Sequence, residues 1–146
     1  MEFAHSIVLD ANILLRAVLG VHAQNLVNTY AGPVWMCAPQ VAFDEAKRNL
    51  TIITARRGWS QEVFNVASTA LNGLETLVNS VDPETYVTAI NEAQLRIGRR
   101  DPDDVPILAL ALLLDCPVWT EDHDFFGTGV PIWTSDRVEL YFSPER

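Results

Sequence analysis

A small set of acids carries the residues with chemistry to offer. Asp10 ends the apolar run His5 to Asp10, and Asn12 follows it two positions later. Asp103 and Asp104 open a second apolar stretch, Val105 to Leu114. Asp122 and Asp124 follow a third, in the segment Thr120-Glu121-Asp122-His123-Asp124. Glu45 lies in between, next to Asp44. Packed carboxylates repel and raise one another's pKa, which neutral pH tolerates only around a bound cation. Oxygen donors with no Cys or His among them favour Mg²⁺ or Mn²⁺ over Zn²⁺.

That chemistry requires elements that bring distant acids together. Residues 5–10 are short, apolar and rich in β-branched side chains, which predicts a buried strand ending at Asp10. Helices are predicted over 13–18, closed by Gly20, and over 22–30, closed by Gly32-Pro33. Val34 to Ala38 is the next strand. A helix over 39–56 follows, opened by Pro39 in the first turn, with Ala42, Phe43, Ala46, Leu50 and Ile53 on one face. Ser60 caps a helix whose Val63, Ala67, Ala70, Leu71, Leu74 and Leu77 keep helical spacing. Asp82-Pro83 starts a helix running to Ile97, with Gly98 as its stop. Asp101-Pro102 repeats that start signal before the buried helix 105–114. Strands at 117–120 and 130–134 and a last turn or helix over 136–142 complete the chain.

Short apolar strands alternating with helices predict an α/β fold, a sandwich with a mainly parallel central sheet and helices on both faces. No repeat or linker interrupts it, so residues 1–146 are expected to form one domain. In such sheets ligands bind beyond the C-terminal strand ends. Asp10, Asp104 and Asp122 belong at that edge, and Glu45, one turn into its helix, can point inward to it.

Each acid also has a plainer role open to it. Asp82 and Asp101, each followed by Pro, read as helix caps, and Asp103 as a cap or a helper. Glu45 could be a surface charge beside Lys47 and Arg48, and Asp44 has Arg48 at i+4 to pair with. His123 reads as a solvated turn residue, and Trp35, Trp119 and Trp133 as core.

Composition narrows the classes. A hydrophobic fraction of 49% and a charged fraction of 20% suit a globular protein. Asp10, Asn12 and Arg16 interrupt the longest N-terminal apolar stretch, which excludes a membrane span there, and Glu2 and His5 do not make the basic start of a signal peptide. Cys37 and Cys116, without metal-ligand spacing, read as buried free thiols in a cytoplasmic protein. The net charge is −9, and residues 101–124 hold seven acids with no Lys or Arg. A nucleic-acid backbone would be repelled unless a metal, a basic partner or an Arg cluster intervened.

Three segments, VLDANILL (8–15), RDPDDVPILALALLL (100–114) and VWTEDHDFFGTGVPIW (118–133), resemble the PIN-domain ribonucleases, with the wording of 100–133 similar to the VapC-like toxins of toxin–antitoxin pairs. The resemblance spans Ile7 to about Val138. It implies a metal-dependent endoribonuclease with Asp10, Glu45, Asp104 and Asp122 as catalytic metal ligands and Asp124 as a further ligand. Asp44 stays open as the helix-borne acid. Asn12, Asp103 and Thr120 would orient a water or a phosphate oxygen. Arg56, Arg57, Arg99 and Arg100, with Arg96, are candidates for the RNA groove, or else solvated helix ends. A cognate antitoxin and a homodimer are the implied partners. A housekeeping RNA-processing nuclease and a non-catalytic PIN-like module for RNA or protein binding are the alternatives. A phospho-acceptor receiver domain needs a Lys after a late strand, whereas Lys47 sits on a helix. A haloacid-dehalogenase site needs an Asp where Asn12 stands.

Overall fold

The computed structural model describes residues 5–143; both ends of the expected domain 1–146 lie outside the described residues. Five strands form one sheet: β1 (His5–Leu9), β2 (Val34–Pro39), β3 (Asn79–Val81), β4 (Val118–Trp119) and β5 (Ile132–Trp133). Their order is β3-β2-β1-β4-β5, and every pairing is parallel. β1 is therefore central, with Val8 opposite Cys37 on one side and Val118 on the other. Its residues Ile7, Val8 and Leu9 are fully buried, as a parallel strand covered on both faces requires.

The helices are α1 (Ala11–Leu19), α2 (Val21–Tyr30), α3 (Gln40–Arg57), α4 (Gln61–Gly73), α5 (Pro83–Tyr86), α6 (Ile90–Ile97), α7 (Val105–Leu114) and α8 (Val138–Phe142). α7 lies across β1, β2 and β4, backed by α5 and α6, while α1 packs with α2, α3 and α4. The result is the α/β/α sandwich expected. Ile107 to Ala111 are all buried, which the all-round apolar sequence of α7 dictates. Burial raises the thiols of Cys37 and Cys116, both free. Trp119 is fully buried, and Trp35 and Trp133 pack partly buried against the core. Among the described residues no helix is long and apolar enough to cross a membrane.

Several expectations shift. β3 is absent from the sequence reading because Asn79 and Ser80 are polar and exposed; its backbone pairing with Cys37 and Ala38 makes it a strand. The helical spacing of 63–77 overreaches, since α4 stops at Gly73, a 3₁₀ turn takes Leu74–Thr76, and Val63 and Ala70 are exposed. The helix expected from Pro83 to Ile97 breaks at Tyr86 (φ −109°, ψ 12°), before Val87 and Thr88, two β-branched residues. Pro39 ends β2 and precedes α3 instead of lying in its first turn. The last two strands shrink to two residues each.

The chain leaves β1 toward β2 and later returns to its other side as β4. That reversal opens a crevice between the ends of β1 and β4, where ligands of open α/β sheets bind. Asp10 directly follows β1 and Thr120 directly follows β4.

Candidate metal centre

Asp10 is locked by its neighbours. As the cap of α1, its Oδ1 accepts the Ile13 N–H at 2.9 Å, satisfying one orphan donor of the first turn. Its Oδ2 accepts the Thr120 hydroxyl. The Thr120 oxygen in turn accepts the Asp122 N–H at 2.9 Å, and Asp122 Oδ1 accepts the Asp124 N–H at 2.9 Å. Thr and Asp side chains close such turns onto the backbone two residues ahead. A continuous chain of hydrogen bonds thus ties the end of β1 to the turn after β4.

On the facing side, Asp101 uses the same device, its Oδ1 accepting the Asp103 N–H at 3.0 Å. The 3₁₀ turn Pro102–Asp104 that follows delivers Asp104, buried, to the start of α7. One carboxylate oxygen from each of Asp101, Asp104, Asp122 and Asp124 lies within 4.8 Å of the others. Asp101 caps as expected and also belongs to this cluster, in which the sequence reading did not include it. Asp82 occupies the N-cap of α5 as expected, its carbonyl accepting the Thr85 N–H at 3.0 Å, but its side chain takes no cap hydrogen bond.

Burial pushes Asp10 up to about 6, against the pull of the Thr120 and Ile13 hydrogen bonds, with the charges of Asp122 and Glu45 adding to the rise. Asp104 is pushed up to about 9, first by burial and then by Asp122, Asp101 and Asp10. Its Oδ2 has no hydrogen-bond partner. A buried carboxylate oxygen without a donor is costly, and here it faces further acids. The donor set is oxygen alone, which suits a hard divalent cation. The residues present therefore fit such a cation.

Two clefts flank the cluster. The first, about 230 Å³, is lined by Glu45, Arg48, Asp103 and Asp104 among others. Glu45 is half-buried there and raised by burial and by the Asp103 charge, whereas Asp44 is exposed. Glu45 and Asp10 are not among the four clustered oxygens; they reach the cluster through its electrostatics. The second cleft, about 480 Å³, is lined by Asn12, Arg16, Arg57 and Asp122 among others. Asn12 and Asp103 are exposed, and His123, also exposed, keeps ring contact with Phe126 at 5.6 Å.

The arginines divide. Arg57 lies over the Trp59 ring at 5.3 Å, on the wall of the second cleft. Arg56 and Arg99 are exposed at helix ends. Arg100 donates to the Phe126 carbonyl at 2.7 Å and the Arg96 carbonyl at 3.0 Å, and Arg96 donates to the Thr128 carbonyl at 2.8 Å and Glu92 at 2.9 Å. These two hold the loop after Asp124, which Gly127 and Gly129 fold back with φ of 84° and 85°. Arg16 was read in the sequence only as a charge that excludes a membrane span, although i+4 spacing puts it on the same helix face as Asn12.

A protein-family model for the PIN domain matches residues 8–143. A comparison with curated protein sequences finds no match. Among solved structures, VapBC2 from Rickettsia felis bound to a promoter DNA fragment is similar at 12% identity and TM-score 0.68, covering 88% of this chain and 98% of that one. DNA-bound VapBC from Salmonella typhimurium is similar at 14% identity and TM-score 0.68, covering 90% and 98%. FitAcB from Neisseria gonorrhoeae gives 15% identity and TM-score 0.66, covering 88% and 97%. At such identities the likeness speaks for the fold.

Proposed function

The chain belongs to the PIN-domain family, and from that premise we propose that it is a Mg²⁺- or Mn²⁺-dependent endoribonuclease, the toxin of a type II toxin–antitoxin pair. The observation that carries this reading is the unpartnered, buried Asp104 oxygen inside a group of four converging carboxylates at the sheet's crevice. Asp101, Asp104, Asp122 and Asp124 would hold the ion, with Asp10 and Glu45 beside them. A divalent ion bound there would lower the pKa of a water and offset the charge of the scissile phosphate.

The chain's own residues do the rest. Thr120 fixes the Asp10 carboxylate and, through the Asp122 N–H, the turn that carries Asp122. Asp101 fixes the turn that delivers Asp104. This rigidity is what a phosphoryl site needs, because the acids must not drift apart under their own repulsion. Exposed Asn12, which lines the second cleft with Asp122, would donate its amide to a phosphate oxygen. The two VapBC structures and the FitAcB structure support an antitoxin as partner, and a homodimer is part of the same proposal.

Because such a nuclease can be selective, the test is run on a whole transcriptome. The chain and its Asp104→Asn variant are expressed in turn in a bacterial host, and RNA ends are mapped by sequencing. New ends at a defined set of sites, absent with the variant, are expected. Identical end maps would overturn the reading.

A further inference from the structure

The chain's charge of −9 poses a problem that the acid cluster worsens: a polyanion must approach the four clustered acids Asp101, Asp104, Asp122 and Asp124. The second cleft supplies local relief. Asn12 and Arg16 project from one face of α1, one turn apart, and Arg57 faces them from α3. Among the described residues the Arg16 guanidinium makes no hydrogen bond or ion pair, and the side chain is exposed. Arg96 and Arg100 differ, being tied to loop carbonyls. Arg57 is steadied by the Trp59 ring, which leaves its N–H donors open. Glu121, the second acid on this wall besides Asp122, is turned onto the Ser135 N–H at 3.2 Å. Between the two arginines the floor is apolar, made by Leu15, Leu19 and Ile53. Two open cations over an apolar floor match the two halves of a nucleotide, and Asp122 belongs both to this wall and to the acid cluster.

Resting on the ribonuclease reading, we propose that the second cleft is a nucleotide subsite beside the scissile phosphate, in which Arg16 and Arg57 take RNA phosphates and Leu15, Leu19 and Ile53 receive the base. A cation lost from a single-strand contact lowers the salt dependence of binding by about 0.7 in log Kd per log salt. A helix surface residue that served only the fold would leave that slope alone.

The probe is a fluorescein-labelled single-stranded 12-nucleotide RNA of mixed sequence, bound in Ca²⁺ and followed by anisotropy across a salt series, with integrity checked on a gel. Arg16→Ala and Arg57→Ala are each expected to weaken binding about tenfold at low salt and to lower the slope by about 0.7. Arg16→Lys should keep the slope, and Arg137→Ala, exposed at the start of α8, should match wild type. Mn²⁺ affinity, titrated in parallel without RNA, should be unchanged in the Arg16 variant. Wild-type affinity and slope in both alanine variants would overturn the inference. So would a wild-type chain that takes up Mn²⁺ but no RNA, leaving the metal centre standing. A wild-type chain that takes up neither would overturn the ribonuclease reading along with it.

Discussion

Asp10 and Asp104 are two buried acids at one sheet edge, held in opposite ways. Both oxygens of Asp10 accept hydrogen bonds from the fold, one from a helix N–H and one from Thr120. Asp104 keeps an oxygen with no donor and faces other acids. Burial raises both, but hydrogen bonds draw Asp10 back to about 6 while Asp104 stands at about 9. The fold meets part of the charge of the first acid with its own donors and leaves one oxygen of the second without a donor.

The sharpest way to break this contrast is to neutralise each acid without metal. Asp104 has a folded pKa above its unfolded value, so the folded state holds the extra proton between about pH 4 and 9. Metal-free stability should therefore fall as pH rises through that window. Asp104→Asn removes the penalty, and in EDTA at pH 8 it should gain on the order of 2 kcal/mol, with the gain vanishing near pH 4. Asp10 is raised less, so Asp10→Ala should gain less at pH 8 than Asp104→Asn, because the lost α1 cap and the orphaned Thr120 hydroxyl cost about 1–2 kcal/mol against the relieved charge. Thermal and denaturant melts of the two variants across pH decide; an equal or larger gain in the Asp10 variant at pH 8 would erase the distinction.

Thr120→Val tests the chain of hydrogen bonds that separates the two acids. Removing its hydroxyl frees Asp10 Oδ2 and strands the Asp122 N–H, and calorimetry should show Mn²⁺ affinity about tenfold weaker, as for other partners of metal ligands. The smallest effect is expected at Asp101. Asp101→Asn keeps an oxygen for the Asp103 N–H but drops a charge from the cluster, so Mn²⁺ binding should weaken by a factor of a few with melting unchanged. Asp101→Ala should add the loss of a cap, roughly 0.5–2 kcal/mol.

The contrast also marks what the residues disclosed in advance. Asp10 and Asp122 were read at the sheet edge because each directly follows a short apolar strand, while Thr120 came only with the family resemblance. That Asp10 also caps α1 and that Thr120 bonds it were not read. The fold class followed from short apolar strands alternating with helices, apart from β3, whose Asn79 and Ser80 carry no strand signal and depend on β2 for pairing. Asp101 shows the limit. Asp-Pro before a helix reads as a cap, and only the packing of the 122–124 turn against it adds the second role. Arg100 shows the converse, a cation expected in a groove whose donors go to backbone carbonyls. Which partner a long side chain reaches is a tertiary fact that spacing along the chain does not encode.

The central claim is that the unanswered acid awaits a divalent cation. Calorimetric titration of Mn²⁺ into the wild-type chain and Asp104→Asn, at pH 7 and again at pH 9, tests it most directly. Wild type should bind, more tightly at pH 9 as Asp104 sheds its proton, and Asp104→Asn should bind at least tenfold more weakly, about 1.4 kcal/mol. No binding at millimolar Mn²⁺, or equal binding by the two proteins, would contradict the account.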